Sequence, residues 1–237
     1  MRTRLLRIAI LAALAAAPAV AQNPAPRLPD GRVSLGSTPG SIGYWEIRPG
    51  GLRNSFPGDA DVPFQPWARA VYEYRQSAFG INSPLVACKP AGGPAFFNSP
   101  GFEIVQVPEA GEIYILNIAG PHSWRVVYMD GRDHPLDLRP TYLGHSIGRW
   151  EGDTLVIDSV GFNEKVWIRG SFPSTGRLHL IERISRPDFD TFVYEVTIDD
   201  SGAYTGPWGG SWEINASTSS AWIPDGEMFE YICQDSQ

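Results

Sequence analysis

The chain has 237 residues, a formal charge of −7 and only two cysteines. An acidic chain without a basic cluster is a poor partner for nucleic acid or for anionic membranes. Beyond the N-terminus no segment approaches the roughly 18 apolar residues of a membrane-spanning helix.

Residues 1–21 carry a basic start, "MRTRLLR", an apolar run, "IAILAALAAAPAV", and Ala19-Val20-Ala21 as an A-x-A cleavage site. This pattern predicts a secretory signal peptide and a periplasmic or secreted product. Its removal takes Arg2, Arg4 and Arg7 with it, moving the charge from −7 to −10. The remainder is the size of one domain with a substantial core. An oxidising compartment favours a disulfide between Cys88 and Cys233.

Residues 22–62 are rich in Pro and Gly and predict an extended N-terminal wrap, pinned by Tyr44, Trp45 and Ile47. A single β-rich domain follows over 63–237. It opens with a helix near 66–78. Pro66 stands in its first turn, and Trp67, Ala70, Val71 and Tyr74 recur at i, i+3, i+4 and i+7. The rest consists of strand-type runs: "GFEIVQVP", "IYILNIAG", "SWRVVYM", "HSIGRW", "TLVIDSVGF", "LHLIERIS", "TFVYEVTI", "GSWEI" and "EMFEYIC". The turn signals Asp130-Gly131, "EGD" and Asp225-Gly226 separate several of them. The expected fold is all-β: an antiparallel meander closed into a calycin-like barrel, with the helix packed on it.

Gly144-His145-Ser146-Ile147-Gly148 spells G-x-S-x-G, and Asp158 and His179 follow in the chain order of an α/β-hydrolase triad. A nucleophile elbow needs a core strand before the serine and a helix after it. Here "DLRPTY" precedes and "RWEGDTLVIDS" follows, so the context argues against that reading.

The stretches "WRVVYMDGRDHPLDLRPTYLGHSIGRWEGDTLVIDSVGFNE", "LHLIERISRPDFDTFVYEVTIDDSGAYTGPWGGSW" and "EYICQD" are similar to those of a large family of exported, uncharacterised bacterial proteins. The likeness spans most of residues 62–237. It implies homology and export, and no reaction. Where the family carries a His and an acidic residue, "PSTGRLH" has Ser174 and Gly176.

The candidate site residues are the polar groups on strands and strand ends. Acid–base chemistry needs a His or carboxylate with a shifted pKa and a cation to hold developing charge. His145, His179, Glu182, Arg183 and Glu195 are the expected catalytic set, although strand parity puts Glu182 opposite His179. His122, Trp124, Arg125, Asn163 and Trp208 are the expected ligand contacts, at strand starts, strand ends and the Gly-rich "GPWGGSW". Glu195 facing Arg183 also fits an ordinary cross-strand ion pair. No nucleotide, P-loop or metalloprotease motif is present, and the four histidines show no recognised metal spacing, so neither a cofactor nor a metal is expected. Together these features point to an exported protein with a barrel cavity for a small aromatic or plant-derived molecule. It would act as a cofactor-free lyase, isomerase or hydrolase. The alternative is a non-catalytic periplasmic carrier of a small hydrophobic ligand.

Overall fold

The structure is a computed structural model. It describes residues 23–48, 53–54, 56–97, 100–118, 121–215, 217–218 and 220–233. Residues 1–21, expected from the sequence to be a signal peptide, lie outside them. Among the described residues, thirteen strands and one α-helix follow in chain order. Gly43–Glu46 is β1, Arg53–Asn54 β2 and Pro66–Ser77 helix α1. Gly101–Val107 is β3, Glu112–Asn117 β4 and Trp124–Tyr128 β5. His145–Glu151 is β6, Thr154–Val160 β7, Trp167–Ile168 β8 and Phe172–Pro173 β9. His179–Ser185 is β10, Phe192–Asp199 β11, Trp208–Ile214 β12 and Ala221–Pro224 β13.

All but β8 and β9 form one sheet in the order β13-β1-β3-β4-β5-β6-β7-β10-β11-β12-β2, and β8 and β9 pair with each other. The sheet curls on itself. Trp45 on β1 touches Phe192 on β11 at 5.2 Å between ring centroids, and Phe102 on β3 reaches Trp212 on β12 at 6.4 Å. The all-β barrel with one packed helix is therefore the observed architecture. Strand alternation makes it: in β11, Phe192, Tyr194, Val196 and Ile198 point inward while Glu195, Thr197 and Asp199 face solvent.

Stacked aromatics fill the interior. Phe97 lies 5.0 Å from Phe102 and 4.8 Å from Tyr194, and Tyr194 lies 5.1 Å from Trp212. Each such pair adds roughly 0.5–1.5 kcal/mol beyond its buried area. Tyr44, Trp45 and Ile47 are all buried. Buried Arg186 donates to the carbonyl of Gly36 at 2.8 Å and stacks on Trp222 and Trp45.

Besides the run "EMFEYIC", expected as a strand but without regular structure over residues 227–233, two features differ from the sequence reading. The residues that signal helix α1 do not form its buried face. Ala68 and Tyr72 face the body, where Tyr72 packs on Phe64 and Phe172, while Trp67 and Tyr74 are exposed. The second difference is at Asp130-Gly131, which turns the chain without making a hairpin. β5 and β6 are parallel, with Val127 opposite Ser146. A parallel neighbour requires a crossover, so residues 129–144 return along the barrel before β6 begins.

Candidate functional site

That crossover carries His134 onto the outer face of the sheet, where it meets His145 of β6 and Asp158 of β7. Gly144 allows the entry into β6: its φ is +68°, and a Cβ there would lie 2.6 Å from the carbonyl oxygen of Val160. A side chain at this position would block the His145–Val160 pairing that starts the hairpin. In that hairpin Ile147 faces Asp158, so His145 and Asp158 share the outer face. Ile181 of β10 also faces Asp158, which places His179, two residues away, on the same face.

The four side chains are linked in a chain. His134 Nδ1 lies 2.8 Å from His145 Nδ1, and His134 Nε2 lies 3.2 Å from Asp158 Oδ1. His179 Nε2 lies 2.8 Å from the same oxygen. Carboxylates only accept, and a neutral imidazole has one donor and one acceptor nitrogen, so with all three rings neutral one set of tautomers satisfies these contacts. His134 donates from Nε2 to Asp158 and accepts at Nδ1. His145 donates from Nδ1 and keeps its lone pair on Nε2. His179 donates from Nε2 to Asp158 and keeps its lone pair on Nδ1. One carboxylate thus orients two imidazoles directly and a third through His134.

The His145 ring stacks on Tyr128, at 5.2 Å between centroids, and the Arg132 guanidinium covers the other ring 4.1 Å from its centre. Burial, His134 and Arg132 all lower the His145 pKa below the ordinary imidazole value. His145 is therefore a neutral acceptor at neutral pH. Among the described residues no group of three or more His, Cys, Asp or Glu side chains is placed to hold a metal ion.

No protein-family model, no curated protein and no solved structure matches the chain.

The other expected residues fall elsewhere. Glu182 and Arg125 do not belong to an accessible site. Both point into the barrel, where Arg125 Nη1 donates to Glu182 Oε1 at 2.9 Å and a second bond joins Nη2 to Oε2. Tyr194 donates its hydroxyl to Glu182 at 2.9 Å, and the Arg125 guanidinium also donates to Ser146 Oγ at 2.9 Å and Ser159 Oγ at 2.6 Å. All five side chains are buried. Arg183 and Glu195 stand on the outer face: Arg183 pairs with Glu151 at 2.8 Å, and Glu195 is 3.9 Å away. This is the ordinary ion pair. His122 accepts the backbone N–H of Tyr231 at 2.8 Å and so anchors the C-terminal segment. Trp124 is exposed. Asn163 accepts the N–H of Lys165 at 3.0 Å in a turn, and Trp208 is buried against Phe172 and Tyr204. Ser174 is buried, donating to the Val166 carbonyl at 2.8 Å, and Gly176 is exposed near Glu164.

Ser146 settles the G-x-S-x-G question. The Asp158–His179 pair of the apparent triad is real, but Ser146 alternates with His145 and faces inward, 2.9 Å from Ser159. A fluorophosphonate serine probe is expected to leave the folded protein unlabelled. A tryptic peptide carrying the adduct on Ser146 would overturn this placement.

Proposed function

We propose that this chain is an exported, cofactor-independent acid–base enzyme acting on a small organic molecule, a member of the family its sequence resembles. The chemistry is a lyase, isomerase or hydrolase reaction that begins with proton abstraction. The observation that carries this reading is the chain Asp158–His134–His145, with His179 on the same carboxylate. A general base works best when a second group fixes its tautomer and its pKa lies near the working pH. His145 Nε2 is the proposed base, Asp158 and His134 are positioning residues, and His179 Nδ1 is a second acceptor. The Cys88–Cys233 disulfide supports an oxidising compartment.

The test is turnover on a panel of plant phenolics, lignin-type dimers and aryl esters, followed by liquid chromatography–mass spectrometry. His145→Gln is expected to lower the rate of any product-forming reaction by roughly 100-fold, within the range for a general base, with little change in melting temperature. Because the His145 pKa is lowered, its basic form persists below pH 6.5, and the acid limb of the pH–rate profile should lie below that value. Wild-type rates in both His145→Gln and Asp158→Asn, or an acid limb above pH 6.5, would remove His145 from the role.

A further inference from the structure

A second site lies where helix α1 meets the loops at residues 82–91 and 164–167. An open cleft of about 550 Å³ is lined by Tyr74 and Arg75 of the helix, by Lys89, and by Tyr142, Lys165 and Trp167. A smaller notch of about 110 Å³ adjoins it, sharing Ser83, Pro84 and Trp167 and walled by Leu85, Pro90, Ala91 and Ala95. Apolar cavities of around 150 Å³ accept a benzene ring. The notch is smaller than that, so a ring would sit across it and the larger, mostly apolar chamber, whose lining includes charged side chains.

The charge of the chamber is the reverse of the chain's. The whole sequence is −7, yet Arg75, Lys89 and Lys165 face the cleft against one carboxylate, Glu164. Arg75 is the informative residue. Its guanidinium lies 4.0 Å from the centre of the Trp167 ring and, among the described residues, donates a single long bond of 3.3 Å, to the Ser171 carbonyl. Among the described residues it has no ion-pair partner, in contrast to Arg125, Arg149 and Arg183. Burial pushes its pKa down to about 10, the mark of a cation whose charge is poorly compensated. An anion in the cleft would supply what the protein does not, through the bidentate geometry that arginine offers to carboxylates.

We propose that this cleft binds a small aromatic carboxylate, with the ring across the notch and chamber against Trp167 and the carboxylate on Arg75 and Lys165. The site is separate from the His145 cluster and does not depend on the acid–base reading.

Binding is measured directly on the mature, disulfide-intact protein by isothermal titration, with benzoate, 4-hydroxybenzoate, 4-hydroxycinnamate and 1-naphthoate, each beside its uncharged methyl ester. At least one acid is expected to bind tenfold or more tightly than its ester, and to weaken as salt is raised. Lys165→Gln, on an exposed side chain, should weaken the acid severalfold and leave the ester unchanged. Trp167→Phe should remove most of the fluorescence quenching. Arg75→Met is expected to abolish the preference for the acid; Arg75→Lys, which keeps a charge, should retain part of it if the methionine variant proves unstable. Equal affinity for acid and ester, or no heat with any of the four acids, overturns the proposal. The readout needs no turnover, so failure of the enzymatic reading leaves it standing.

Discussion

Replacing Glu182 with leucine is expected to destabilise the protein by roughly 3–5 kcal/mol, the cost of leaving a buried charge without its partner. Arg125 has five N–H donors inside the barrel, and two of its four hydrogen bonds go to this carboxylate. Burial disfavours the charged guanidinium, but the Glu182 charge and hydrogen bonds outweigh it, so the Arg125 pKa is raised overall. The Tyr194 phenol, buried and donating to Glu182, is pushed up as well and stays protonated. Removing Glu182 strands the cation and deprives Tyr194 of its acceptor. Against a typical total stability of about 5–15 kcal/mol, this loss is large. The double variant Arg125→Met, Glu182→Leu should recover most of it, because paired charges in a core return little beyond what a packed apolar pair supplies. Urea unfolding of the wild type, both single variants and the double variant measures the coupling. A single variant within 1 kcal/mol of wild type would mean that water or a ligand reaches the cluster. Glu182 would then return as a functional candidate.

The same cluster shows where a sequence is readable and where it is not. Alternation assigns Leu180, Glu182 and Ile184 to one face and His179, Ile181 and Arg183 to the other, and the structure agrees. It also separates His145 from Ser146, which is enough to dismiss the apparent triad. Once the "EGD" hairpin is accepted, the register puts Asp158 on the face of His145. The pairing of Ile181 with Asp158 then adds His179 to that face, a register the sequence of β10 alone does not give. His134 was not legible. It reaches the site on a crossover that exists because β5 and β6 are parallel, and Asp130-Gly131 gives no sign that the chain will cross back instead of forming a hairpin. Helix α1 misled for another reason. Its apolar stripe marks the helical period correctly, yet Trp67 and Tyr74 are exposed and Val71 is only half-buried. Tyr74 and Val71 then help to wall the cleft at Trp167, so periodicity identified the element while the surface it serves decided which face is buried.

Cys88 and Cys233 are expected to contribute roughly 4–5 kcal/mol, the chain-entropy value for a loop as long as their separation of 145 residues. What the bond holds makes the consequence local as well as global. Cys88 sits in the irregular segment that supplies Ser83, Pro84 and Lys89 to the cleft, and Cys233 ends a stretch with no regular strand after β13. Such segments open at the low end of a protein's stability range. In Cys88→Ser, Cys233→Ser, hydrogen exchange should accelerate first over residues 80–91 and 225–233, before the barrel strands change. Urea unfolding should show the full loss only when the whole chain opens. The His134–His145–Asp158 chain rests on the crossover and on β6 and β7, remote in sequence from both cysteines, so it should survive in the folded variant. Removing the disulfide should therefore separate the two proposed sites: carboxylate binding at Trp167 is expected to weaken while any turnover that depends on His145 persists. Uniform exchange across the molecule, or unchanged stability, would show that the bond constrains neither the cleft nor the unfolded chain.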